Sequence, residues 1–162
     1  KQRYIQLEKQ QQAAIPWIAE FNENCRQFEK APNDIKKGRA VVAQETLLKK
    51  SKIINLQGTL KTLSGHADYA DIEIHSQTPF GTLIAESRFQ YAGTTASRPY
   101  IRAGTAIFDA VTDMVEGQCV QFSAKSLKPD AFFSSQARAC GSIYSGKIEL
   151  TAIFTDVRTC DN

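Results

Sequence analysis

TAIFDAVTDMVEGQCVQFSAKSL, residues 105–127, changes its hydrophobic period half-way. Ile107, Val111 and Met114 or Val115 recur every three to four residues, which predicts one buried helix face between Thr105 and Glu116. Gly117 stops that helix, because glycine takes the positive φ of a helix end at little steric cost. From Gln118 the period drops to two. Val120, Phe122 and Ala124 then fall on one face of a strand over about 118–127. A single helix among strands is an unusual arrangement, so what flanks it decides the architecture.

Three period-two stretches precede the helix. Leu56, Gly58 and Leu60 share a face of the first, where Gly58 suits a bent strand passing close to a neighbour. Ser64-Gly65 reads as a turn. In the second strand Ala70, Ile72, Ile74 and Ser76 face one way, and Tyr69, Asp71, Glu73 and His75 the other. After the turn Thr78-Pro79-Phe80-Gly81, a third strand over about 82–91 carries Leu83, Ala85, Ser87, Phe89 and Tyr91 on one face, and 93–99 reads as a polar loop. Downstream of the fourth strand a long connection, 128–146, leads to a fifth over 147–157, with Ile148, Leu150, Ala152 and Phe154 alternating. The order βββαββ is that of the OB-fold, a small five-stranded barrel with a helix between strands three and four. Five amphipathic strands bury one face each if the sheet curls on itself or packs on another layer. The fold class is therefore α+β, mainly β: a five-stranded OB-like barrel preceded by an N-terminal helical segment. An open α+β sheet covered by the N-terminal helices is the alternative.

That helical segment occupies residues 1–50, packed on a barrel domain of residues 51–162. Trp17, Phe21, Cys25 and Phe28 are spaced 4, 4 and 3 apart, which predicts a helix from Pro16 to about Glu29. Pro32 cannot continue it, and Asn33 caps a second helix that runs to about Lys50. Ile35, Val42 and Leu47 or Leu48 are the candidate buried stripe of this second helix. The opening KQRYIQLEKQQQ is polar and suits either the stretch after a membrane anchor or signal segment, or a solvated helix end.

The chain's 162 residues are 42% hydrophobic and 23% charged, with fourteen glycines and prolines, which excludes a disordered, collagen-like or coiled-coil chain. No apolar run approaches the roughly 20 residues of a membrane helix. The net charge of +3 hides a split. Residues 1–52 hold eleven Lys and Arg against six Asp and Glu; residues 53–162 hold nine against eleven. The strand-rich part is thus mildly acidic, unlike the reading surface of a nucleic-acid binder. Cys25, Cys119, Cys140 and Cys160 include no C-x-x-C pair, which disfavours zinc ribbons and thioredoxin-like motifs. Their even number suits two disulfides in an exported protein, with Cys119–Cys140 and Cys25–Cys160 the favoured pairing of three; reduced thiols in a cytoplasmic protein are the alternative.

Two stretches carry a family resemblance. APNDIKKGRAVVAQE (31–45) resembles the Ala-Pro-Asn-acidic-Ile-Lys-Lys segment of a group of uncharacterised bacterial OB-fold proteins, of the tRNA anticodon-binding-like OB superfold. IFDAVTDMVEGQCVQFSA (107–124) resembles that group's helix, glycine and Val-x-Phe-Ser strand, matched here by Phe108, Gly117, Val120, Phe122 and Ser123. Ala124 stands where the group often has glycine. The resemblance spans roughly residues 21–45 and 53–157. It implies an anchored or exported bacterial binding domain and brings no catalytic residues with it.

Gly141-Ser-Ile-Tyr-Ser-Gly146-Lys147-Ile148 falls short of a P-loop, since Ile148 cannot hold magnesium and a strand, not a helix, follows. His66, His75, Asp68, Asp71 and Glu73 are close enough in sequence for a cation site or acid–base pair, or form a solvated strand face. Binding-surface candidates are Arg88, Arg98, Tyr100 and Arg102 around strand three and its loop, and Phe132, Phe133, Arg138 and Tyr144 in the long connection. The first functional expectation is a non-catalytic binding module of the bacterial envelope, periplasmic or anchored by a segment before residue 1. It needs no cofactor and contacts a protein, peptide or small ligand through barrel loops. The alternatives are a cytoplasmic single-stranded nucleic-acid binder and a hydrolase using the Asp71/Glu73/His75 face.

Overall fold

Fourteen consecutive residues, Ile53–His66, form the strand β1 that closes the sheet. The computed structural model describes residues 2–87, 91–92, 95–96, 101–129 and 146–160. Half of β1 pairs with β7 (Cys119–Pro129), from Ile53↔Ala124 to Thr59↔Cys119, and the other half with β2 (Tyr69–Thr78), from Thr59↔His75 to His66↔Tyr69. The strand serves two neighbours in turn: it passes from one to the other at Thr59, beside Gly58, and its register breaks on either side, between Ile53 and Leu56 and between Leu60 and Thr62. β2 continues to β3 (Gly81–Glu86), β3 lies parallel to β8 (Lys147–Thr159), and β8 returns antiparallel to β7. The cycle β1-β2-β3-β8-β7-β1 is a closed five-stranded barrel in the OB-like order, so no barrel strand presents a free edge along its paired length.

Smaller elements decorate it. β4 (Tyr91–Ala92) and β5 (Thr95–Ala96) pair with each other, and β6 (Ile101–Arg102) adds to the start of β2 through Tyr69↔Arg102. The helix between β3 and β7, α4 (Ala106–Thr112), is capped by Thr105 Oγ1, which accepts from Phe108 N at 3.2 Å. It buries Val111, with Met114 just beyond its end, and packs against β8, β2 and β6. Gly117 has φ +90° and hands its N–H to the Leu60 carbonyl at 2.7 Å, so the helix stop also stitches β1 to the start of β7.

The barrel interior follows the alternation of the sequence. Leu60, Ile72, Ile74, Leu83, Ala85, Val120, Phe122, Ile148 and Leu150 are buried together, and each large one contributes about 1.5–3 kcal/mol by leaving water. The same cluster extends into the helices through Ala14, Ile15, Trp17, Phe21, Leu47 and Leu48. These belong to or flank α1 (Gln2–Ala14), α2 (Ile18–Lys30) and α3 (Asp34–Lys50). Among the described residues no helix is long and apolar enough to cross a membrane.

The polar opening is a full helix, α1, lying against β1, within the helical segment expected over residues 1–50. Four expectations need correction. The α3 stripe is different: Ile35 and Val42 are 72% and 61% exposed, while Ala40, Gln44, Leu47 and Leu48 are buried. The face that meets α2 is set by a polar residue, Gln44, which a search for apolar spacing passes over. The β1–β2 turn is Ala67-Asp68, two residues past Ser64-Gly65, and the third barrel strand ends at Glu86.

The fourth correction is the disulfide. Cys119 bonds Cys160, with Cα atoms 5.5 Å apart, and neither Cys119–Cys140 nor Cys25–Cys160 forms. Antiparallel pairing of β7 and β8 opposes the first residues of one to the last of the other, through Val120↔Thr159, and the Cys160 N–H reaches the Cys119 carbonyl at 3.1 Å. Cys25 is also disulfide-bonded, and Cys140 lies outside the described residues.

Candidate binding cleft

Outward positions on β1, opposite the buried Leu56 and Leu60, are Asn55, Gln57, Thr59 and Lys61. They form one wall of a cleft of about 840 Å³ whose other walls are the outer faces of β2, β3 and β7, the start of β8, and the C-terminal half of α1. Six carboxamide side chains line it: Gln10, Gln11, Asn55, Gln57, Gln77 and Gln121. The charged lining residues are Glu8, Lys61 and Lys147, with His75 beside them. Ile84, on β3 opposite His75, adds an apolar patch.

The carboxamides are partly held in place. Gln11 donates its side-chain amide to the Gln77 carbonyl, which fastens α1 across the end of β2. Gln77 Oε1 accepts from Thr82 Oγ1 at 3.2 Å. Asn55 sits in the first break of β1 with φ +54°, a left-handed conformation that Asn tolerates better than most residues. Its N–H donates to Ser123 Oγ at 2.9 Å, its Oδ1 accepts from Arg158 at 3.0 Å, and its carbonyl accepts from Gln121 Nε2 at 3.3 Å. A carboxamide carries two donors and two acceptor lone pairs without a charge. The cleft therefore suits a ligand that is polar, hydrogen-bonding and uncharged.

The acidic and histidine residues of β2 are placed differently. His75 Nε2 hydrogen-bonds Glu73 Oε1, and Ser87 Oγ donates to Asp71 Oδ1 at 2.9 Å. His66 belongs to the opposite end of the hairpin, where it stacks edge-on against Tyr69 and lies 3.8 Å from Asp68. Tyr69 and His75 are six positions apart on β2, roughly 20 Å at the rise of a β-strand, so the two histidines do not share a site. Among the described residues no three His, Cys, Asp or Glu side chains gather as a metal site would require. Ser76, next to His75, lies on the buried inward face with Ile72 and Ile74, so its hydroxyl is not offered to the imidazole.

Of the binding-surface candidates, Arg102 is described. It is exposed on β6, beside Tyr69 and roughly 20 Å along β2 from His75 of the cleft. Arg88, Arg98, Tyr100, Phe132, Phe133, Arg138 and Tyr144 lie outside the described residues. Of the P-loop-like run, 141–145 lie outside them too, and Lys147 opens a strand. Apart from His75, the cleft residues escaped the sequence reading, because outward Asn, Gln and Thr on a strand look like ordinary solvated positions. Their signal was the near absence of charge along Asn55, Gln57, Thr59 and Gln77, on a surface where Lys and Glu are the usual choice.

Searches with this chain against protein-family models, curated proteins and solved structures returned no match.

Proposed function

We propose that this chain is a non-catalytic binding module of an oxidising bacterial compartment, and that the cleft beneath α1 receives an extended peptide main chain. The observation that carries the reading is the lining: six carboxamides on a closed barrel and the helix fastened to it, with only three formal charges among them. A peptide backbone offers one donor and one acceptor per residue, which is the complement of a carboxamide row. The volume lies within the range of pockets that hold a drug-sized ligand or a short chain segment. A phosphate backbone would find Lys61 and Lys147 opposed by Glu8, which is weak support for the nucleic-acid alternative.

The compartment rests on the cysteines. A Cys119–Cys160 disulfide and an oxidised Cys25 are compatible with export, because thiols stay reduced in most cytoplasms. The test is a backbone-amide NMR titration with a neutral, end-capped peptide, and separately with oligo-deoxythymidine across a salt series. Peptide-induced shifts at Gln57, Thr59, Gln77 and Gln121, weakened in Gln57→Leu, are expected. Shifts at these positions from the oligonucleotide alone, lost at high salt, would replace the peptide reading with the nucleic-acid one.

A further inference from the structure

The positive charge of residues 1–52 has no role in the barrel cleft, and part of it converges elsewhere. A groove of about 460 Å³ runs between the end of α2 and the start of α3. Lys30, Lys36 and Arg39 line it, with Asn24 and Gln27, and no carboxylate does. None of the three cations forms an ion pair among the described residues. On α2, Glu23 is held by Arg26 at 3.1 Å and by Gln27 at 3.1 Å, and Glu29, next to Lys30 in sequence, is not among the residues that line the groove. Asp34 is two positions from Lys36, roughly 200° around the helix. The α3 N-terminus is not itself the attraction, because the Lys36 N–H already donates to Asn33 Oδ1.

Beside this groove α3 exposes aliphatic side chains. Ile35 and Val42 are 72% and 61% exposed, seven residues apart on one face, with Arg39 between them. Aliphatic side chains flanked by cations match the boundary of an anionic bilayer, where headgroup phosphates pair with Lys and Arg and the aliphatics enter the acyl edge. A free phosphate has no use for Ile35 and Val42, and single-stranded nucleic acid is held by aromatic stacking, which this face does not offer.

We infer that the α2–α3 hairpin docks on a bilayer containing anionic phospholipid, with a headgroup phosphate seated among Lys30, Lys36 and Arg39 and with Ile35 and Val42 touching the acyl boundary. This is independent of the peptide cleft. The test is co-sedimentation of the oxidised full chain with vesicles of phosphatidylcholine alone and of phosphatidylcholine with phosphatidylglycerol. Binding to the anionic vesicles only, falling as salt rises, is expected. Lys36→Gln/Arg39→Gln should weaken it about tenfold or more. Ile35→Ser/Val42→Ser should weaken it while leaving the salt dependence. Lys125→Gln/Lys128→Gln removes the same charge from exposed positions on β7 and should leave binding unchanged. Trp17 fluorescence verifies that each variant is folded. Equal binding to both vesicles, or an equal loss in the β7 variant, overturns the inference. So does binding that is indifferent to Ile35→Ser/Val42→Ser and is competed by inorganic phosphate or an oligonucleotide, since the ligand would then be one of those.

Discussion

A Cβ added at Gly58 would stand 2.7 Å from the His75 carbonyl oxygen and 2.5 Å from Ser76 Oγ, closer than real side chains approach backbone. Gly58→Ala must therefore push β1 away from β2 at the point where one strand passes from one partner to the other. A loss of about 1–3 kcal/mol in urea unfolding is expected. This close approach was legible in the sequence, because a glycine inside an alternating strand has few other reasons to be there. Asn55, three residues earlier, was not legible. Its left-handed φ is required by a register break that exists only once Ser123, Gln121 and Arg158 arrive from β7 and β8. Asn55→Ala loses both the conformational tolerance and the Arg158 bond, and should cost about 1–2 kcal/mol. Asn55→Gly keeps the conformation and should cost less, so the order of the two variants in urea midpoints tests whether the backbone is the main term.

At the scale of elements, polar residues account for most of what alternation and spacing missed. The strand faces were legible because each barrel strand buries one side, so every second residue reports the core. The α2–α3 hairpin was half legible. Its caps and its proline break were clear, but its contact face is centred on Gln44, which is fully buried. Gln44 Nε2 donates to the Phe21 carbonyl at 3.0 Å and to Cys25 Sγ at 3.2 Å, while its Oε1 accepts from Asn24 at 3.0 Å. With Lys37 over the Phe28 ring at the other end, these contacts show the helices run antiparallel. Gln44→Ala opens a cavity and removes three hydrogen bonds, and should cost about 2–4 kcal/mol. Thermal melts of the oxidised protein would check it. The disulfide belongs to this scale as well. In sequence Cys119 and Cys140 are near neighbours and favour each other, but strand pairing decides, and β7 and β8 are neighbours whose ends meet at Cys119 and Cys160. A non-reduced peptide map should contain the Cys119–Cys160 link and neither Cys119–Cys140 nor Cys25–Cys160. Closing a loop with a separation of 41 residues is worth roughly 4 kcal/mol on chain entropy, so Cys119→Ser/Cys160→Ser should lose about that much.

For the molecule as a whole, the question is whether residues 1–50 are an appendage or part of the barrel's own folding unit. The helices lie first in sequence and carry a net positive charge, unlike the barrel, which suggests a separate piece. Their apolar side chains argue otherwise. Ile15, Trp17, Phe21, Leu47 and Leu48 are buried in one continuous cluster with the barrel core. Trp17 is the chain's only tryptophan; its ring lies against Phe21 and its Nε1–H donates to the Lys52 carbonyl at 2.7 Å, where the helices hand over to β1. Its fluorescence therefore reports the junction, while far-UV circular dichroism reports the whole backbone. If core and junction are one unit, the two probes share one urea midpoint and one slope. Cys119→Ser/Cys160→Ser should then lower both midpoints together, although the bond is confined to β7 and the end of β8. A Trp17 transition at lower urea than the circular-dichroism one, insensitive to the cysteine variant, would make the helices a separately melting layer on the barrel.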